Sequence, residues 1–290
     1  MRLKFRDRLM NIFNLGTTIT HEKVIEKQGL TPKRICLKTC HSNSLREIDF
    51  DNNDAKWALF IPFSETIKKI FEKETELIIY RTSKGHYWCP IEKEEDYNKA
   101  LKFKEKYNSV VFLRDNLDLS VSLSEHYKNE EERTETGELE YQAKYQGCED
   151  SILEIVDLVS SFIETTPFFK DTNYICAIPS SNPSNPSLPN RIAEEVSEVL
   201  GLTNVSDHIT WKGSKEALKE KSIEEKWIEL EKVDIEIKDV DLSKKNIILI
   251  DDLYQSGTTI QFVAMKLKEF GATKIFGLTI VKSRKDSDNT

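Results

Sequence analysis

The chain has 290 residues, 38% apolar and 32% charged, with a formal net charge of −8. Such a length allows two modest domains or one domain with a long extension, and the composition suits a globular chain with solvated helices. The acidic balance argues against bulk affinity for nucleic acid or anionic membrane, and no apolar run approaches the ~20 residues that span a bilayer. The basic start, Met1 to Arg6, is followed by neither a long apolar stretch nor a small-residue cleavage site, so a cytoplasmic protein is expected.

The cysteines, Cys36, Cys40, Cys89, Cys148 and Cys176, are odd in number, which points to reduced thiols rather than a disulfide framework. Cys36 and Cys40, beside His41, could be zinc ligands if His86 and Cys89 closed the site. Buried small thiols are the competing reading, and Arg34-Ile35-Cys36-Leu37 fits it as a strand-like run.

In chain order, residues 1–125 read as an α+β domain whose role the sequence does not disclose. Ala58–Phe63, Leu77–Tyr80 and Ser109–Leu113 are apolar, β-prone runs, and Ile91–Tyr107 carries apolar residues at helical spacing. Ser124–Gly137 is polar enough to be a solvated linker or a frayed helix. Residues 126–290 alternate more regularly. Ser151–Phe162 has an apolar stripe of Ile152, Ile155, Val156, Val159 and Phe162, which predicts an amphipathic helix. Asn173–Ile178 predicts a strand ending at Pro179. The following Ser180–Asn190 is excluded from helix by its prolines and reads as a functional loop. Arg191–Leu200 predicts a helix closed by Gly201. Ile247–Ile250 is apolar throughout, as in a buried parallel strand. Gly257–Thr259 opens a helix bearing Ile260, Val263, Ala264 and Leu267 and stopped by Gly271, and Lys274–Val281 is a further strand. Strand, loop and helix repeated in this way predict an α/β sheet with its site at the strand carboxyl ends.

The chemistry concentrates in Ile247-Ile248-Leu249-Ile250-Asp251-Asp252-Leu253-Tyr254-Gln255-Ser256-Gly257-Thr258-Thr259. A buried strand delivers two carboxylates to its end, and a small, hydroxyl-rich loop then runs into a helix N-terminus. That loop offers backbone N–H groups, hydroxyls and the positive end of a helix dipole, which suit a phosphate. Gly257 permits close backbone approach. Carboxylates would repel a phosphate placed against them. A sugar lying between the two, its hydroxyls on Asp251 and Asp252, reconciles these features.

This segment resembles the motif with which type I phosphoribosyltransferases bind 5-phosphoribosyl-1-pyrophosphate (PRPP). Asp251, Asp252, Ser256, Gly257 and Thr259 match the pattern. Tyr254 and Gln255 depart from it, where the family usually has an aliphatic and a small hydroxyl residue. The resemblance implies a parallel sheet flanked by helices, preceded by the α+β N-terminal domain. It implies that Gln255, Ser256, Gly257, Thr258 and Thr259 bind the 5-phosphate and that Asp251 and Asp252 hold the ribose. The strand before Pro179 and the loop after it resemble the pyrophosphate-binding part, with Ser180, Ser181 and Asn182 as donors and Arg191 as a bidentate partner. Trp211–Lys221 resembles in position the flexible loop that closes over PRPP, where Lys212, Lys215, Lys219 and Lys221 could neutralise departing pyrophosphate; Lys215 and Lys219 are the catalytic candidates. Solvated lysines on a charged helix, and a surface Arg191, are the plainer readings of those residues. Together with Thr136–Tyr145, these features look like the competence protein F branch of the family, without the cysteine-rich module its relatives carry upstream.

By resemblance the expected activity is transfer of a phosphoribosyl group from PRPP to an undetermined acceptor. Mg²⁺ would be carried by PRPP rather than ligated directly by the protein. Two alternatives stand beside it: a PRPP- or nucleotide-binding regulatory module without turnover, and a structural subunit with a vestigial site. A homo-oligomer, or a protein partner engaged through the N-terminal domain, is compatible with either.

Overall fold

The apolar run Ile247–Ile250 lies fully buried in the middle of a nine-residue strand, Asn246–Tyr254. The computed structural model around it describes residues 18–38, 44–49, 54–181, 187–213 and 221–285. Its strands, in chain order, are β1 (Arg34–Cys36), β2 (Leu45–Glu47), β3 (Trp57–Ile61), β4 (Tyr80–Arg81), β5 (Tyr87–Ile91), β6 (Val111–Leu113) and β7 (Leu119–Glu125). They continue with β8 (Tyr174–Ala177), β9 (Thr203–Asn204), β10 (Ile209–Trp211), β11 (Ile235–Ile237), β12 (Asn246–Tyr254) and β13 (Lys274–Lys282). The helices are α1 (His21–Gln28), α2 (Ile67–Thr75), α3 (Glu94–Lys106), α4 (Glu135–Tyr141), α5 (Glu149–Thr165), α6 (Leu188–Leu200), α7 (Ile223–Val233) and α8 (Thr258–Glu269). A π-helical turn, Gln142–Gln146, prolongs α4.

The central sheet has the order β1-β6-β7-β13-β12-β8-β9. From β7 to β9 every pairing is parallel, while β6 and β1 add an antiparallel edge. Alternation along β12 sends its side chains to two cores. Ile248 and Ile250 join the face covered by α5 and α6, and Ile247 and Leu249 join the face covered by α7 and α8. Burying each such side chain contributes about 1.5–3 kcal/mol relative to exposure. The molecule is thus α/β, a parallel-rich sheet flanked by helices. Among the described residues, no helix is long and apolar enough to cross a membrane.

The connections after β8 and β12 run in opposite directions. From β8 the chain crosses through α6 to β9, and from β12 through α8 to β13 on the other face. The loops after these neighbouring strands therefore diverge and leave a crevice at the strand carboxyl ends.

The sheet also crosses the boundary expected between residues 125 and 126, because β1, β6 and β7 lie before it and belong to the same sheet. β7 pairs with β13 over Phe276↔Leu119 to Lys282↔Glu125. Its apolar content alone suggests no strand, since serine fills every second position. Those serines are buried all the same, and Ser122 shares a hydrogen bond with Thr279 of β13. Among the other described residues of the N-terminal half, β2, β3, β5 and β4 form a four-stranded antiparallel sheet, accompanied by α2 and α3.

Smaller differences have local causes. Leu77–Ile79 is not strand, because Glu72 accepts the Ile79 N–H (2.8 Å) and Lys68 donates to its carbonyl (2.7 Å). The stretch expected as a linker, Ser124–Gly137, holds the end of β7, a bridge between Tyr127 and Arg133, and the start of α4 under its N-cap Thr134. α6 begins at Leu188, inside the proline-rich loop, since Pro189 in the first turn gives up only an N–H that the helix leaves unused. Cys36 and Cys89 are buried thiols in separate cores, and burial pushes Cys89 up to about 12. No cluster of three or more His, Cys, Asp or Glu side chains suited to a metal occurs among the described residues; Cys40 and His41 lie outside them.

Candidate functional site

β12 carries Asp251 and Asp252 past the buried part of the sheet to half-buried positions, where the Asp252 N–H donates to Asp251 Oδ1 (3.0 Å). Tyr254 then turns inward and donates its hydroxyl to the buried Asp115 carboxylate (3.0 Å). Burial raises the Asp115 pKa, though hydrogen bonds, Tyr254's among them, work the other way. Gly257 sits at φ +76°, the left-handed region, directly before the first turn of α8. A Cβ there would fall 2.1 Å from the Tyr254 hydroxyl, so the tyrosine and the glycine fit only as a pair.

Polar contacts hold the loop to its surroundings. Ser256 Oγ and Thr258 Oγ1 lie 2.9 Å apart, and the Thr258 N–H points at Ser256 Oγ (3.4 Å). The Gln28 side chain, at the end of α1, donates to the Ser256 carbonyl. Buried Gln261 donates to the Gly257 carbonyl (3.3 Å) and accepts from the backbone N–H and side-chain amide of Asn116 (3.1 and 2.8 Å). The α8 N-terminus and its loop are thereby fixed to the turn between β6 and β7.

Facing this loop is a cleft of about 290 Å³, lined by Asp251, Asp252, Gln255, Ser256, Gly257, Thr258 and Thr259 from one side and by Pro179, Ser180 and Ser181 from the other. Two lysines also line it, Lys144 and Lys226. Lys144, on the π-helical turn, pairs with Asp252 at 2.7 Å and with Glu140 at 3.5 Å. Burial works against its ammonium, but the Asp252 and Glu140 carboxylates outweigh that and raise its pKa. Glu140 is itself raised, by burial first and by Asp252, against the pull of Lys144. His126, 3.6 Å from Glu140, is lowered by burial and by the cations Arg133 and Lys144.

The structure gathers most of the anticipated residues here: Asp251, Asp252, Gln255, Ser256, Gly257, Thr258, Thr259, Ser180 and Ser181 share one cleft. Arg191 does not join them. It lies on α6, where it binds Glu149 of α5 (2.8 Å) and Glu195 (3.0 Å), one turn along its own helix. Two carboxylates within reach of an exposed guanidinium satisfy it locally. Asn182, Lys215 and Lys219 lie outside the described residues. Lys212 pairs with Asp234, and Lys221 approaches Glu229 at 3.7 Å. Lys282 is buried and donates to the carbonyls of Ser283 (2.6 Å) and Lys285 (2.8 Å). Lys144 and Lys226 are the site residues that pattern reading leaves without a role. The i, i+4 spacing of Glu140 and Lys144 was a readable signal for the first, whereas nothing around Lys226 distinguishes it from other helical lysines.

As for a divalent cation, Asp251 and Asp252 are the only carboxylates lining the cleft among the described residues, and Asp252 is already paired with Lys144. This donor set suits sugar hydroxyls and an ion that arrives on a diphosphate, and falls short of a closed protein cage.

No family model matches the chain, and no curated protein matches it in sequence. Part of it is similar to dozens of solved structures, these three among them. One is phosphoribosylpyrophosphate synthetase from Mycobacterium smegmatis, with 18% identity and a TM-score of 0.29, over 44% of this chain and 33% of that one. Another is a hypoxanthine phosphoribosyltransferase from Staphylococcus aureus, with 13% identity and a TM-score of 0.30, over 47% and 65%. The third is adenine phosphoribosyltransferase from Leishmania tarentolae, with 11% identity and a TM-score of 0.33, over 49% and 75%. The likeness thus spans less than two thirds of the first two chains. Likenesses this slight carry no argument. The cleft does.

Proposed function

We propose that the cleft binds PRPP and that the protein is a phosphoribosyltransferase acting on a nucleophilic acceptor. One observation carries the proposal: a carboxylate pair, a left-handed glycine loop at a helix N-terminus and a second hydroxyl-rich loop all line one cleft at the sheet's switch point. Backbone N–H groups and hydroxyls from Gln255 to Thr259 receive the 5-phosphate. Asp251 and Asp252 accept from the ribose hydroxyls, and Ser180 and Ser181 donate to the diphosphate. In the transfer, an acceptor lone pair forms a bond to ribose C1 while the C1–O bond to diphosphate breaks, and its electron pair leaves with pyrophosphate. The two carboxylates lie near the positive charge that develops at C1 and favour it electrostatically. Lys144 holds Asp252 in place as an acceptor. Mg²⁺, when it comes bound to the diphosphate, would neutralise the leaving group.

A second reading has an observation of its own. Gln28 and Asp115 tie the phosphate loop to the N-terminal half, which would let that half respond to occupancy without turnover. Pyrophosphate release from Mg·PRPP, measured against a panel of nucleobases and amines, separates the two. Acceptor-dependent release supports transfer. PRPP that binds but stays intact with every acceptor sinks the transferase and leaves the sensor.

A further inference from the structure

One buried carboxylate beside the cleft has no part in the binding scheme above. Glu140 is only 2% exposed and belongs to a chain of side chains that leads away from the site. Asp252 pairs with Lys144 at 2.7 Å, Lys144 with Glu140 at 3.5 Å, and His126 Nε2 lies 3.6 Å from Glu140. Backbone geometry sets this chain in place. The His126 N–H donates to the Lys282 carbonyl (2.9 Å) at the end of β13, so His126 and Asp252 flank that strand, and Glu140 and Lys144 bridge them. α4 closes on His126 through Gly137, where a Cβ would fall 2.2 Å from the His126 carbonyl oxygen. Its N-cap, Thr134, accepts the Gly137 N–H (2.9 Å) and donates to the Glu125 carbonyl (2.6 Å). Beyond α4, Ser151 donates to the Gln142 side chain (2.9 Å) and steadies the π-helical turn that carries Lys144.

The charges along the chain explain a second carboxylate behind the lysine. Lys144 alone would cancel the charge of Asp252 and make it a poorer acceptor, beside a carbon where positive charge develops in the transfer. Shared between Asp252 and Glu140, the ammonium leaves the three groups with one net negative charge. Nearby cations do not remove it. Arg133 pairs with Glu138 (3.3 Å) and stacks on Tyr141 (3.9 Å), while burial, Arg133 and Lys144 lower the His126 pKa and favour its neutral ring. Burial opposes the Glu140 charge, and Lys144 and Arg133 favour it. Resting on the PRPP reading, we propose that Glu140 is a positioning residue acting through Lys144. It draws the ammonium partly off Asp252 and leaves the cleft negative, so that the site prefers a ribose ring bearing positive charge to a neutral one.

Two probes of one shape and different charge test the assignment: ribose 5-phosphate, and the iminoribitol 5-phosphate whose ring nitrogen is protonated at pH 7. Each is titrated into the full chain and into the Glu140→Gln, Glu140→Met and Glu140→Asp variants. The parent should bind the cationic ring more tightly than the neutral one. A unit charge one ion pair removed, at the effective dielectric of a partly buried site, predicts a roughly 3–20-fold fall in that preference in the Gln and Met variants. Asp keeps the charge and should keep most of the preference. Thermal melts identify any variant that fails to fold, and the remaining neutral substitution then carries the comparison. An unchanged preference in the neutral variants overturns the assignment. So does an equal loss for both probes, which would mark Glu140 as a structural residue only. A parent that binds both probes equally overturns the assignment and leaves the PRPP reading standing, whereas a parent that binds neither overturns both.

Discussion

Gly257→Ala should destabilise the protein for two separable reasons. The first is backbone strain: at φ +76° an L-residue costs about 1–2 kcal/mol. The second is collision. The new Cβ would lie 2.1 Å from the Tyr254 hydroxyl and 2.3 Å from the adjoining ring carbon, so a ring anchored on Asp115 must move. Overpacking of this kind adds about 1–3 kcal/mol, which brings the expected loss to about 2–5 kcal/mol. Tyr254→Leu removes both colliding atoms. In that background the alanine should cost only the strain, giving a coupling of about 1–3 kcal/mol between two residues in contact. Urea unfolding of the two single variants, the double variant and the parent measures each corner of the cycle. The reasoning fails if Gly257→Ala costs less than about 0.5 kcal/mol, the range of an ordinary surface change, or costs the same in both backgrounds.

Two other predictions concern charges at and beside the cleft. Burial raises the Glu140 pKa, so its contribution to stability is fully present below its unfolded value and is lost as pH rises through the folded one. The melting temperature of the parent should therefore fall relative to Glu140→Gln as pH climbs from about 4.5, and parallel curves across that range would refute the assignment. Arg191→Met should leave pyrophosphate affinity unchanged and cost less than about 1 kcal/mol of stability, because its partners are Glu149 and Glu195 on an exposed surface. Loss of pyrophosphate binding would return the guanidinium to the cleft.

What could be read from the sequence follows how local each signal is. The strand and loop from Ile247 to Thr259 were legible because apolar run, acidic pair, glycine and helix start follow one another within a single segment. Helices α5 and α6 announced themselves by an apolar stripe and by the closing Gly201. β7 did not, since its buried face is serine, and its membership of the main sheet depends on a partner, β13, some 150 residues away. Tyr254 read as a departure from a motif. Its reason, a hydroxyl bound to Asp115, needed the turn between β6 and β7 to be in place. Lys226 was invisible for a similar reason: the cleft it lines is assembled from strands and helices far apart in the chain, which no local spacing encodes. Arg191 erred in the opposite direction, because a well-placed arginine in sequence met two glutamates, Glu149 and Glu195, in space.

The central claim is that Asp251, Asp252 and the Gln255–Thr259 loop bind PRPP, and calorimetric titration of Mg·PRPP into the full chain and into Asp251→Asn/Asp252→Asn tests it most directly. Micromolar binding by the parent, lost in a variant that still folds, is the predicted result; a parent that does not bind, or a variant that binds equally well, would contradict it.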